Sequence, residues 1–297
     1  MRAFAMDGNS LEGLIVETVV KLLESAVTQL PDDVVRALEE ARKRETSDLA
    51  KKQLEAILEN VALAREGRIP ICQDTGVMTF YVSVGDAFPF IGKIPRLIEE
   101  AVRRATEAIP LRPNAVDTFT GVNSGDNTGL QVPHINFEIT EGSVLEITAL
   151  PKGGGSENTS MLKMLSPIEG MMGVKKAVVD AVLEAGAKPC PPIILGVGLG
   201  GGADIAMKLA KKAVLRPLNR RHNNPEVVKL EDELLKLTNE TGIGPMGLGG
   251  KTTVLGVNIE YAHRHPASLP VGIIMQCWAA RRATAKIWSD GRVEYLT

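Results

Sequence analysis

The sequence predicts a mixed α/β protein of the α+β kind, with a helical N-terminal layer followed by an α/β part. Two observations carry this. Over the first 67 residues, apolar side chains recur at intervals of three and four, the spacing of a helix buried on one face. After Arg68 the texture changes to Gly, Pro and polar residues between short β-like runs, and strand and helix patterns then alternate to the end. The chain has 297 residues, 44% apolar and 24% charged, enough for one large domain or two small ones. No repeat, heptad or low-complexity linker interrupts it. A single domain over 1–297 is expected, with 1–67 as the helical front and 68–297 as the α/β part that carries the ligand loops.

In order, Asn9 and Ser10 can cap a helix over 11–30 that Pro31 ends, and further helices follow over 32–44 and 47–66, the last with Leu49, Leu54, Ile57, Leu58 and Val61 on one side. Residues 79–84 alternate as a strand. Pro95 is acceptable in the first turn of a helix over 95–108. The stretch 112–133 is too long for a simple connection, so it is expected to be functional or disordered. Residues 135–139 and 144–149, with Gly142 in the turn, read as a β-hairpin. Then come a helix over 174–185, a strand over 193–197, helices over 203–214 and 226–238, a strand over 252–259, a helix over about 271–285 and a terminal hairpin turning at Asp290-Gly291.

Composition excludes some roles. With 34 Lys+Arg against 36 Asp+Glu the net charge is −2, which provides no basic field for nucleic acid. Met1 to Gly8 shows no export signal, and no run approaches the ~20 apolar residues of a membrane-spanning helix. A soluble cytoplasmic protein is expected, with its three cysteines reduced rather than paired.

Two glycine motifs need weighing. Gly196-Val197-Gly198-Leu199-Gly200-Gly201 has dinucleotide-loop spacing between a strand and a helix, but the acid expected about 20 residues on is missing from Pro217-Leu218-Asn219-Arg220-Arg221. Gly249-Gly250-Lys251-Thr252 resembles the end of a phosphate loop, yet Pro245 occupies the place of its first glycine. Both clusters could offer amides to an anion or a cluster sulfur, or could simply serve tight turns near a crowded core. Lys251 reads equally as an anion contact or a solvated loop lysine.

The cysteines, Cys72, Cys190 and Cys277, are scattered, so neither a zinc knuckle nor a ferredoxin-type loop is local to the sequence. Free cysteines often behave as small buried hydrophobes, and spacing alone favours that reading. Their settings point the other way: each adjoins Pro, Gln or a Gly-rich loop, Gln73-Asp74-Thr75 follows the first, and His263 and His265 precede the third. Three thiolates on a four-iron cluster leave one iron without a protein ligand, and such an iron can act as a Lewis acid.

The motifs Ile71-Cys72-Gln73-Asp74-Thr75-Gly76, Asn123-Ser124-Gly125-Asp126-Asn127, Lys152-Gly153-Gly154-Gly155-Ser156-Glu157-Asn158, Cys190-Pro191-Pro192, Gly242-Ile243-Gly244-Pro245-Met246-Gly247 and His265-Pro266-Ala267-Ser268-Leu269-Pro270 occur in this order across nearly the whole chain. In them the sequence resembles the class I, oxygen-sensitive fumarate hydratase and tartrate dehydratase family, in particular its separate α subunit. The resemblance implies a 4Fe-4S cluster with one iron not ligated by protein, held by Cys72, Cys190 and Cys277. It implies substrate-pocket positions at Gln73, Arg112, Gly155 and His265, and acid–base work for Asp74. Without it, Asp74 reads equally as a turn cap, Arg112 as a solvated surface group and His265 as a structural histidine. Single-chain members continue into a second domain past the equivalent of Thr297. The resemblance therefore implies a β subunit that completes the active site, in an assembly of two α and two β subunits.

The expected activity is reversible hydration of fumarate to L-malate, with L-tartrate dehydration as the alternative on the same pocket. A non-catalytic iron–sulfur protein needs the cysteines but not Asp74, Arg112 or His265. A nucleotide-binding oxidoreductase, ranked third, needs Gly196–Gly201 to hold NAD.

Overall fold

The computed structural model describes residues 10–296. The stretch inspected for an export signal and the cap candidate Asn9 lie outside them. In chain order the first elements are α1 (Leu11–Thr28), α2 (Asp32–Arg44), α3 (Asp48–Gly67), β1 (Val77–Gly85), α4 (Ile94–Ala108), β2 (His134–Thr140) and β3 (Val144–Lys152). There follow α5 (Gly154–Glu157), β4 (Met161–Leu165), α6 (Gly170–Ala185), β5 (Ile193–Gly201), α7 (Ala203–Ala213) and α8 (Pro225–Asn239). The last are β6 (Val254–Arg264), β7 (Leu269–Gln276), β8 (Ala283–Trp288) and β9 (Val293–Leu296). The fold is α+β, helical at the front and mixed thereafter, and among the described residues no helix is long and apolar enough to cross a membrane.

The chain divides into two compact units and passes between them more than once. The first comprises the described parts of 1–31, 63–153 and 281–297; the second comprises 32–62 and 154–280. The helical front is thus shared, with α1 in the first unit and α2 and most of α3 in the second.

The first unit is a sheet of order β2-β1-β3-β8-β9 with α1 and α4 in its core. Ser10 caps α1, its hydroxyl accepting the Gly13 N–H at 3.1 Å. Ile15, Val16, Val19, Leu22, Leu23 and Ala26 then form a buried stripe that packs with Leu97, Ile98, Ala101 and Ala105 of α4. Phe80, Val82 and Val84 of β1, Leu145 and Ile147 of β3, and Ala285 and Ile287 of β8 complete this core. On the other face of β3 and β8, Thr148 meets Thr284 at 2.9 Å and Glu146 meets Lys286 at 3.6 Å.

The expected hairpin of 135–149 does not form as such. Both strands exist, but β1 lies between them, parallel to β2 and antiparallel to β3. Their connection passes over the end of β1, where a Cβ on Gly85 would sit 2.1 Å from the Gly142 carbonyl oxygen. That carbonyl accepts the Ala87 N–H at 2.9 Å, and Asp86 Oδ1 accepts the Gly142 N–H at 3.0 Å.

The second unit is a sheet of order β4-β7-β5-β6, with β5 parallel to β6 and β7 antiparallel to both β4 and β5. One core joins α6 and α8 to Val271, Ile273 and Met275 of β7 and to alternate residues of β5 and β6. The helix expected over about 271–285 is instead β7, a loop and the start of β8. The terminal hairpin forms as expected, β8 pairing with β9 around Asp290-Gly291. In α3, Leu54, Ile57 and Val61 are buried as expected, whereas Leu49 faces outward.

Gly196 and Gly198 are not part of an open loop. They lie within β5, and a Cβ on either would meet the α7 backbone, 2.1 Å from Ala210 O and 1.9 Å from Ala206 O. Gly272 of β7, the cross-strand partner of Gly198, also lies under Ala206 O, at 2.4 Å. These glycines let a helix rest on two strands at backbone distance, which is the packing alternative of the sequence reading rather than the phosphate-binding one.

The loop Gly249–Thr252 does receive an anion, the chain's own Glu45. This carboxylate is 3% exposed; it accepts the Thr46 and Ser47 N–H groups on Oε1 at 2.8 and 3.1 Å and the Lys251 N–H on Oε2 at 2.7 Å. Gly250, with φ +130°, brings the loop against it, where a Cβ would stand 2.7 Å from Oε2. Burial raises the Glu45 pKa, but the amides of Ser47, Lys251, Thr46 and Thr252 outweigh it and hold the group below its ordinary value.

Two predictions follow from this packing. Gly198→Ala should cost about 3 kcal/mol or more, since a backbone carbonyl cannot swing aside, whereas Gly92→Ala, into open space, should change stability by less than about 0.5 kcal/mol; urea midpoints check both. Glu45→Gln should cost about 1–3 kcal/mol at neutral pH. Because the folded-state pKa of Glu45 is depressed, its contribution is present above the unfolded carboxylate pKa and lost as pH falls through the folded one. The difference between wild type and Glu45→Gln should therefore shrink in acid, as read by unfolding midpoints across a pH series.

Candidate active site

In the first unit the segment 71–76 follows α3 and leads into β1. The Ile71 N–H bonds to Val27 O at 2.9 Å, and Gly76, at φ +85°, lies so close to β3 that a Cβ would be 2.7 Å from the Lys152 backbone. Between these anchors stand Cys72, part-exposed, Gln73, exposed, and Asp74, part-exposed, with Asp74 Oδ1 accepting the Gly76 N–H at 3.0 Å.

Arg112 is tied to this segment through its backbone. The buried Thr75 hydroxyl accepts the Arg112 N–H at 3.0 Å and donates to Arg112 O at 3.3 Å. The Asn127 amide donates to the same carbonyl at 3.2 Å and accepts the Asn114 N–H at 2.7 Å. The structure thus brings Cys72, Gln73, Asp74 and Arg112 together, and it leaves the Arg112 side chain exposed. The long stretch 112–133 is ordered by its own short polar side chains. Asp117 Oδ1 accepts the Phe119 and Thr120 amides, Asn123 bonds Pro113 O and the Gly125 N–H, and Asp126 Oδ1 accepts the Thr128 N–H.

In the second unit, Cys190 precedes β5 and Cys277 follows β7. The two strands are antiparallel with Ile194 opposite Gln276, so both thiols emerge at the same end of the sheet. Cys190 has φ +53°, its N–H closes a turn onto Ala187 O at 3.0 Å, and its carbonyl accepts the Trp278 N–H at 3.3 Å. Gly155 in α5 belongs to the same neighbourhood, where a Cβ would stand 3.6 Å from Lys188 O. His265 does not. It lies before β7, at the end opposite Cys277, and an eight-residue strand separates them by roughly 25 Å. There its Nδ1 accepts the Ala267 N–H at 3.1 Å, which places the proton of the neutral ring on Nε2, and Arg264 Nη1 holds the turn through the carbonyls of His265, Pro266 and Ser268 at 3.0, 3.1 and 3.2 Å.

The thiols suit a soft-metal group. All three cysteines are part-exposed and none forms a disulfide. Beside Cys277, Gln276 is 1% exposed with both amide atoms unpartnered among the described residues, a costly arrangement unless something else fills its hydrogen bonds. Among the described residues no three His, Cys, Asp or Glu side chains converge on a single ion.

Sequence reasoning passed over two residues here, Gln276 and Arg281. Arg281 is 1% exposed and donates from Nη1 to the Asp74 carbonyl at 2.5 Å. Neither announces itself in sequence, because Gln and Arg are mostly surface residues; their only signal was position, next to Cys277 and just past it.

Residues 16–286 match the family described as Fumarate hydratase (Fumerase). The Methanocaldococcus jannaschii protein named "Putative L(+)-tartrate dehydratase subunit alpha" is 50% identical over 283 residues, 94% of this chain and 99% of that one. The L(+)-tartrate dehydratase subunits alpha of Escherichia coli strains UTI89 and K12 are 39% and 38% identical over 284 residues, 95% of this chain and 94% of theirs. The similarity takes in both units and every candidate residue, and the chain belongs to the fumarate hydratase (Fumerase) family, a family of hydro-lyases.

Proposed function

We propose that this chain is the α subunit of a cytoplasmic iron–sulfur hydro-lyase that reversibly hydrates fumarate to L-malate, with a β subunit completing its active site. The observation that carries the reading is the emergence of Cys190 and Cys277 at one end of a sheet, with an unpartnered buried Gln276 beside them, in a chain of this family. Cys72, Cys190 and Cys277 are the ligands of a 4Fe-4S cluster. When bound, the cluster supplies a Lewis-acidic iron that no protein group ligates.

The chain's own residues bind, orient and move protons. Dehydration takes a proton from one carbon and hydroxide from its neighbour, releases water and changes no oxidation state. Asp74 is the acid–base group for the carbon-bound proton, and the Gly76 N–H on its Oδ1 fixes the carboxylate before substrate arrives. Arg112, its backbone pinned and its guanidinium exposed, is suited to a bidentate pair with a substrate carboxylate. The Gln73 amide and the side-chain-free Gly155 are further substrate-binding positions. His265 is kept as a substrate-binding candidate on resemblance alone.

A second reading, L-tartrate dehydration, is favoured by the names of the relatives at 38–50% identity. The substrates share two carboxylates and differ in hydroxylation, so the same residues serve either, and discrimination rests on contacts to the additional hydroxyl.

Iron and acid-labile sulfide analysis of protein purified without oxygen tests the premise. A four-iron cluster is expected in the wild type and its loss in Cys72→Ala, Cys190→Ala and Cys277→Ala; no cluster even after anaerobic reconstitution returns the cysteines to packing roles. In the assembled enzyme, Asp74→Asn should retain iron and lose about a hundredfold or more in kcat, and undiminished turnover removes Asp74 from the acid–base role. A kcat/KM higher for L-tartrate than for fumarate or malate gives the assignment to the second reading.

A further inference from the structure

We infer that Arg281 is a positioning residue for Asp74, acting together with the absence of a side chain at Gly153. This rests on the proposed role of Asp74 and deepens it. Arg281 lies two residues before β8, and β8 runs antiparallel to β3, whose end leads into Gly153. Its guanidinium is almost fully buried, and Nη1 donates to the Asp74 carbonyl at 2.5 Å. The two functional ends meet over Gly153. A Cβ there would stand 3.0 Å from Asp74 Oδ2 and 3.3 Å from Arg281 Nη2, so carboxylate and guanidinium flank one point that a methyl group would fill.

Burying a guanidinium is unfavourable unless its donors are satisfied, and Arg281 Nε is itself buried without a partner among the described residues. A purely structural residue at this place is more cheaply apolar. The particular contact made, to the main chain of the acid–base candidate, accounts for a cation here. It holds the peptide of Asp74 in one orientation while the Gly76 N–H holds the carboxylate through Oδ1. Gly153 has no left-handed φ, so an alanine there is compatible with the backbone and disturbs chiefly these two groups.

The test is a double-variant cycle on the assembled, anaerobically loaded enzyme, with iron content measured for every variant. Arg281→Met should lower kcat at least tenfold with KM changed less than threefold, while in an Asp74→Asn background it should lower kcat less than threefold further. Arg281→Lys, which keeps the charge, should recover part of the loss, and Gly153→Ala should reproduce it in milder form. Equal fold losses in both backgrounds, or a loss confined to KM or to iron content, overturn the inference. If Arg281→Met gives no folded enzyme, Gly153→Ala carries the same cycle against Asp74→Asn. If Asp74→Asn itself leaves turnover intact, the reading of Asp74 fails separately. Amide exchange over 73–76 then decides the brace: faster exchange in Arg281→Lys and Gly153→Ala supports it, and unchanged exchange overturns it.

Discussion

The approach of α7 to β5 and β7 is the constraint on which the second unit depends. Gly198 and Gly272 are direct cross-strand partners, and both lie beneath the carbonyl of Ala206, while Gly196 lies beneath that of Ala210. A helix this close to two strands locks their register, because a slip of one residue would bring a side chain such as Val197 or Ile273 under α7 in place of a hydrogen atom. The register decides which residues leave the sheet together. With Ile194 fixed opposite Gln276, Cys190 and Cys277 have to appear at one end and His265 at the other. The glycine motif that imitates a nucleotide loop thus bears on the end of the sheet where Cys190 and Cys277 emerge, without touching either cysteine.

The elements that the sequence revealed best are those with one buried face. The stripe of α1 and the alternation of β1 and β3 are plain because their opposite faces carry polar residues such as Glu146 and Thr148. The segment after Leu269 was misread for the opposite reason. All of β7 is buried, so Val271, Ile273, Ile274 and Met275 form a continuous apolar run with no period to separate helix from strand, and Ala279, Ala280 and Ala283 prolong it with good helix formers. The 135–149 hairpin failed on topology rather than on strand assignment. Two strands joined by a short turn ordinarily pair, and nothing local shows that β1 has claimed the place between them except Gly85, whose need for close approach appears only once Gly142 crosses it.

The candidate site was legible where chemistry demands rare residue types. Three cysteines beside Gln, Pro and Gly, and an Asp-Thr-Gly after the first of them, stand out in any sequence. Residues whose meaning depends on burial did not. Arginine and glutamine are surface residues by default, so Arg281 and Gln276 gain significance only when both are found 1% exposed, one bonded to the Asp74 backbone and the other lacking partners beside Cys277. His265 shows the reverse case. Its motif marked it, yet within its own unit the strand that follows carries Cys277 to the far end.

Most candidate residues sit between regular elements, where no ladder of backbone bonds holds the chain, so their precision has to come from elsewhere. In several places a side chain bonds to main-chain groups: Thr75 and Asn127 at Arg112, Arg281 at Asp74, Arg264 at the His265 turn and Glu45 at the loop before β6. Side-chain-to-backbone bonds suit this work because one side chain can serve several peptide groups in an irregular arrangement, as Arg264 does with three carbonyls and Glu45 with the amides around it. An ion pair between two side chains would fix only the side chains and leave the loop free to move. Holding a loop in one conformation costs about 1–2 kcal/mol of backbone entropy per residue. Where those charged or polar groups are buried, each bond lost also leaves a group unsatisfied. At Glu45 and Arg281 the loop and the buried charge support each other: the charge ties down main-chain groups, and those groups supply its hydrogen bonds.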